Sequence, residues 1–90
     1  MPHMVARVEV GDFDTWLEIH LSNAQNRRAY GMVDGPIYRD IKDPNAVLVH
    51  IFVENMVRAG QWFQSEPFKE ADRRSTTVCR DFYLAGQQES

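Results

Sequence analysis

Three polar side chains, His20, Asn23 and Arg27, follow one another at intervals of three and four residues in the segment TWLEIHLSNAQNRRAYG. Side chains at these intervals meet on one side of a helix. An imidazole titrates near neutral pH, so His20 is a candidate general acid or base. A guanidinium can hold a developing oxyanion through charge-assisted hydrogen bonds, which makes Arg27 the second candidate. The amide of Asn23 can orient a carbonyl.

At about 100° per residue, His20 lies about 20° and Arg27 about 40° from Phe13 on the helix wheel, with Trp16 and Asn23 further round on the same flank. All of them adjoin the apolar stripe. Burying Arg27 without a partner would cost several kcal/mol. Two readings satisfy this constraint. In one, Arg27 snorkels past the sheet edge and His20 makes a single hydrogen bond in the core. In the other, the space between helix and sheet is a polar-lined pocket.

Other groups with chemical potential are scattered. Trp62 and Phe63 fall on a second helix, where they serve as core or as a ring-stacking wall. His50, Tyr38 and Tyr83 lie on strands, and each faces either the helices or the opposite side of the sheet. Alternation alone does not choose between these. Cys79 is mid-strand with no neighbouring base and reads as a packing residue. His20, His50 and Cys79 come from three different elements, so no metal site is expected. There is no Gly-rich phosphate loop and no G-x-S-x-G elbow.

The elements that must position these residues follow from periodicity. Residues 4 to 10 alternate, with Met4, Ala6, Val8 and Val10 on one face and Val5, Arg7 and Glu9 on the other, as in a strand. A helix is expected over residues 13 to 30, capped by Asp12 or Asp14, with Thr15 and Glu18 at capping-box spacing. Gly31 suits the left-handed residue that ends it. Residues 32 to 40 read as a short strand whose Gly35-Pro36 argues for an edge or a bulge. Residues 46 to 54 are apolar on both faces, as in a central strand. A helix capped by Asn55, a further helical turn after Ser65, and a strand over residues 77 to 85 complete the chain. In that last strand Val78, Phe82 and Leu84 share a face. The QQES tail is expected to fray.

The order β-α-β-β-α-β is the ferredoxin-like split βαβ pattern: an α+β fold with two helices on one face of a four-stranded antiparallel sheet. The other face is left bare and must meet solvent or a partner sheet. Ninety residues, 43% hydrophobic and 26% charged, make one domain over 1–90 with its core over about 4–85. A net charge of −3 with scattered Arg residues argues against nucleic acid. A single cysteine points to a reducing, cytoplasmic setting. No run is long enough to span a membrane, and MPHMV has no signal-peptide core. His3, in that opening stretch, is given no role.

Several stretches resemble a known group: D-F-D-x-W at 12–16, a His and an Arg on the first helix, Tyr38-Arg39-Asp40, Asp43-Pro44-Asn45, and A-x-x-W-F-x-S-x-P-F-K-E-A from Ala59. The chain resembles the dimeric α+β barrel superfamily, in particular antibiotic-biosynthesis monooxygenase-like and small cyclase-like proteins, over about residues 4 to 85. The resemblance implies a homodimer whose two sheets pack as a barrel, and a pocket between helices and sheet in each subunit. It also implies an aromatic or polyketide-like ligand handled without metal or prosthetic group. His20, Arg27 and Asn23 would then be catalytic, while Trp16, Trp62, Phe63, His50, Tyr38 and Tyr83 would bind substrate. The reaction would be cyclisation, or oxygenation of a substrate that forms its own carbanion. The haem-degrading branch of the group fits poorly: Asp72 stands at the ligand position, and the first strand lacks the expected Asn. A non-catalytic dimeric domain that binds a small ligand or a protein is the other function the residues allow.

Overall fold

The computed structural model describes residues 2–85, so the tail expected to fray lies outside the described residues. β1 (His3–Val10) alternates as its pattern requires, with Met4, Val8 and Val10 buried and Arg7 exposed on the opposite side. α1 (Phe13–Ser22) begins where the Asp12 carboxylate accepts a hydrogen bond from the Thr15 amide at 3.1 Å. The Thr15 hydroxyl bonds to the same carboxylate, so Asp12 rather than a Thr15–Glu18 capping box starts the helix.

The single helix expected over 13–30 is in fact two, α1 and α2 (Ala24–Ala29), broken at Asn23 with φ −100° and ψ 8°. The Asn23 side-chain Nδ2 donates to the Ile19 carbonyl at 3.0 Å. Its backbone N–H turns instead to the His20 carbonyl at 3.3 Å. A side-chain amide that competes for the i−4 carbonyl interrupts the helical ladder. Gly31 ends α2 at φ 79°, where a Cβ would stand 2.7 Å from that of Asn55, so only glycine fits the position.

β2 (Met32–Arg39), β3 (Ala46–Val53) and β4 (Thr77–Ala85) join β1 in one antiparallel sheet of order β2-β3-β1-β4. β2 is an edge strand, and its register with β3 jumps between Asp34 and Ile37, at Gly35-Pro36. Both features follow from the missing proline donor. α3 (Met56–Gln64) is capped by Asn55, and α4 (Glu66–Arg74) by Ser65 with Pro67 in its first turn. The architecture is therefore ferredoxin-like α+β, with each crossover made of two short helices. No described helix is long and apolar enough to cross a membrane.

Val47, Val49, Ile51 and Val53 of β3 are buried beneath the helices together with Trp16 and Trp62. The other face of β3 is not covered: Leu48 is 42% exposed. The burial expected on both sides of this strand is thus met on one side within a single chain. Two further expectations are corrected. Val78 does not share the inner face with Phe82 and Leu84 but is 75% exposed, because the ladder to β1 slips a register between Glu9 and Val10. Cys79 is exposed rather than packed.

Candidate functional site

A cavity of about 500 Å³ opens between the helices and the β1–β3–β4 part of the sheet. That volume lies within the range of small-molecule sites. The cavity brings together six residues singled out from the sequence: Trp16, His20, Asn23, Arg27, Trp62 and Phe63. α1 and α2 supply the polar end, α3 supplies the aromatic wall, and the sheet supplies an apolar floor that includes Met4, Val49 and Ile51. Met56, Phe82 and Leu84 also line it and remain 45–59% exposed, so this wall is open to solvent.

Arg27 fits the second of the two alternatives drawn from the sequence, in that it borders this polar-ended cavity. It is 5% exposed, so it does not snorkel, and its charge is met inside the protein. Nε and Nη2 donate to Oδ1 and Oδ2 of Asp34 at 2.7 and 2.8 Å, a bidentate pair. Nη2 also donates to the His20 carbonyl at 2.6 Å. The guanidinium thus closes the end of α1 that Asn23 has opened. Burial alone would raise the Asp34 carboxyl, but the hydrogen bonds and charge of Arg27 outweigh it and hold the group below the usual carboxylate range. Among the described residues Nη1 of Arg27 has no hydrogen-bond partner, and the residue borders the cavity.

His20 stacks on Trp16 with ring centroids 4.9 Å apart and planes within 14°. Its ring has no hydrogen-bond partner among the described residues, and it lines the cavity. Burial, with the charge of Arg27 adding to it and that of Asp34 partly offsetting it, lowers the imidazole to about 4. His20 is therefore neutral at pH 7, with one ring nitrogen able to accept a proton and the other to donate a hydrogen bond. The Asn23 amide is largely engaged: Nδ2 bonds Ile19, and Oδ1 accepts from Asn26 at 3.1 Å. One Nδ2 hydrogen remains for a ligand.

Three residues proposed as substrate contacts are not in this cavity. His50 and Tyr38 pack edge to face on the outer side of the sheet, with centroids 5.5 Å apart. Tyr83 pairs across β1 with Val5, which in turn pairs with His50, and so shares that side. Tyr38 is turned outward by the bulge. Unbroken alternation from Asp34 would place it inward, but the one-residue slip brings Ile37 opposite Val49 and Tyr38 opposite Leu48. His3, given no role from the sequence, is the hydrogen-bond partner of His50 on this outer face at 3.0 Å.

Asp34 was not anticipated. The available signal was the need of a buried Arg27 for a counter-charge, with Asp34 the next acidic residue along the chain. Phe68, Asp72 and Arg80, also on the cavity wall, were likewise unassigned.

Removing the Asp34 charge should leave Arg27 buried and unpaired. Asp34→Asn is expected to lose about 3 kcal/mol of stability in urea unfolding, and replacing both partners by apolar residues should recover most of it. Burial of neutral His20 gives a second expectation. Its contribution is fully present above the unfolded value of 6.5 and is lost as pH falls toward about 4, because the unfolded chain binds the proton more readily. Stability should therefore drop by roughly 3 kcal/mol across that window. Unfolding curves of His20→Gln should lack this part of the acid slope.

No protein-family model matches the sequence, and no curated protein matches it. Solved structures do match. A variant of SnoaB, a cofactor-independent oxygenase from Streptomyces nogalater, superposes with a TM-score of 0.78 at 13% identity, covering 99% of this chain and 94% of that one. An antibiotic biosynthesis monooxygenase gives 0.77 at 13% identity over 99% of this chain and all of its own. A conserved protein from Methanosarcina mazei Go1 gives 0.76 at 14% identity over 97% and 92%. The chain thus has the ferredoxin-like α+β fold of the antibiotic-biosynthesis-monooxygenase-like structures, as the resemblance over residues 4 to 85 implied for a single subunit.

Proposed function

We propose that the chain is a small-molecule enzyme acting on an aromatic or polyketide-type substrate in the cavity between helices and sheet, without metal or prosthetic group. The observation that carries the reading is the pairing of a neutral, unpartnered imidazole with a buried guanidinium at one end of an apolar, aromatic-walled cavity. A ring system would stack against Trp62 and Phe63. A phenol or enol oxygen at the polar end would lie near Nη1 of Arg27 and the free Nδ2 hydrogen of Asn23.

His20 would take the proton. It is a weak base with no substrate anion beside it, because the imidazolium would be poorly solvated and close to Arg27. The balance changes when its proton comes from a bound phenol or carbon acid. The anion left behind attracts both the imidazolium and Arg27, so charge separation is least costly where the substrate sits. The resulting carbanion or phenolate could cyclise. It could instead reduce O2: a ring CH2 becomes a carbonyl, one oxygen atom enters the product, and the other leaves as water with the two hydrogens. The likeness in fold to a cofactor-independent oxygenase favours oxygenation over cyclisation.

Binding without turnover is the second reading. The observation behind it is that most donors of Arg27 and both amide atoms of Asn23 already have partners within the protein. Oxygen uptake with polycyclic phenols in the presence of a metal chelator separates the two. Turnover should be seen, and His20→Ala should lower it by roughly 100-fold. Tight binding with no oxygen uptake and no cyclised product would leave the binding role.

We also propose that two copies pair through the uncovered sheet face. That face presents Leu48, Tyr38 and Tyr83 at 42–66% exposure on a chain too small to bury much surface alone. Light scattering at micromolar concentration should give twice the chain mass of 10.5 kDa, and Leu48→Asp should return it to a single chain.

A further inference from the structure

The cavity has a second polar end that this chemistry does not use. Arg80 is on β4, paired with Val8 and on the same side of the sheet as Phe82 and Leu84. Its Nη2 donates to Oδ1 of Asp72 on α4 at 2.5 Å. Both side chains border the cavity and both are partly open, at 28% and 36% exposure. The guanidinium also lies over the Phe68 ring, 5.5 Å from its centroid. The pair engages one nitrogen and one oxygen. Among the described residues, Nε and Nη1 of Arg80 and Oδ2 of Asp72 have no other hydrogen-bond partner.

The two polar ends are tied to opposite edges of the sheet. Asp34, which anchors the cluster at His20, is on edge strand β2, and Arg80 is on the opposite edge strand β4. Three inter-strand spacings separate these edges, about 14 Å across the sheet. The wall between them is apolar, with Trp62, Phe63 and Phe82 on it.

The ligand group that suits this end follows from its charges. A lone arginine would favour an anion. Here a carboxylate or phosphate would also meet the charge of Asp72, which opposes it. A hydroxyl has no such conflict, because it can donate to Oδ2 of Asp72 and accept from an Arg80 N–H at once. We propose that Asp72 and Arg80 form a subsite for a neutral aromatic hydroxyl, carried by an elongated ligand at the end remote from His20. The inference rests on the reading of the cavity as a ligand site and adds a specificity to it: fused-ring substrates oxygenated at both ends.

The test is an NMR titration of the full chain with three probes: 2-naphthol, 2,6-dihydroxynaphthalene and 6-hydroxy-2-naphthoate. The diol should bind roughly five- to tenfold more tightly than 2-naphthol, the worth of one added hydrogen-bonded group, and should shift the Asp72 and Arg80 resonances. The naphthoate should gain nothing over 2-naphthol. In Arg80→Met and Asp72→Asn the preference for the diol should shrink to within twofold. Asp72→Asn keeps the side-chain shape and carries the comparison if Arg80→Met does not fold. Equal affinity of wild type for diol and mono-ol, with both shifting cavity resonances, overturns the subsite and leaves the cavity reading standing. A preference for the naphthoate, or a diol preference unchanged in the variants, also overturns it. If no probe perturbs a cavity residue, the cavity reading fails and takes the subsite with it.

Discussion

The Arg27–Asp34 ion pair is the constraint around which the first half of the chain is arranged. A buried guanidinium is tolerated only when its charge and its N–H groups are met. Asp34 supplies the charge from the edge strand, and the His20 carbonyl takes a further N–H. That carbonyl belongs to the turn of α1 interrupted by Asn23, so the pair and the helix break support each other. The pair also ties the edge strand β2 to α2. The bulge beyond Asp34 then resets the alternation, so that Ile37 follows Asp34 onto the inner face. One ion pair thus links a helix end, an edge strand and the orientation of the residues beyond.

The same pair shapes the electrostatics of the cavity. Asp34 largely cancels the charge of Arg27, so the polar end presents a directed donor more than a net positive field. His20 sits beside this neutral pair and against Trp16, where the imidazolium has little to stabilise it. On the proposed reading, such a site would respond to an anion that arises within it. A ligand that arrives already charged would gain less, because the Asp34 carboxylate already neutralises Arg27. Selectivity for groups that ionise in place over groups charged in solution is a natural outcome of this arrangement.

Much of the fold is legible in the sequence because local signals there agree. The alternation of Met4 to Val10, the caps at Asp12 and Asn55, the glycine at 31 and the proline of an edge strand each point to one structure, and each is found. The site is only partly legible, for identifiable reasons. The interval between His20, Asn23 and Arg27 places them on one flank, but it cannot report that the Asn23 amide would cut the helix there. Arg27 announces that it needs a partner without naming one. Asp34 lies seven residues away across a turn and in another element, where periodicity is silent. Tyr38 depends on a one-residue slip that Gly35-Pro36 suggests but does not count. His50 lies on a strand apolar on both faces, so alternation fixes its neighbours and leaves its side of the sheet open.

That outer side has its own logic. Among the described residues His50 makes one side-chain hydrogen bond, to His3, and its buried Nε2 has no partner. A buried polar atom left in this state is costly, and repacking of this face beneath a second surface would be the way to give it a partner. The apolar groups around it, Leu48 and Tyr38 among them, argue for the same kind of cover. In the proposed pair the sheet would separate two environments. Arg80, Phe82 and Leu84 would face the ligand, while Cys79, Asp81 and Tyr83, alternating with them on the same strand, would face the partner. Substitutions on the two faces should then act through different equilibria, and only a change in strand register would couple them. The single bulges in the β1–β4 and β2–β3 ladders are where such a change costs least, because the ladder hydrogen bonds are already interrupted there.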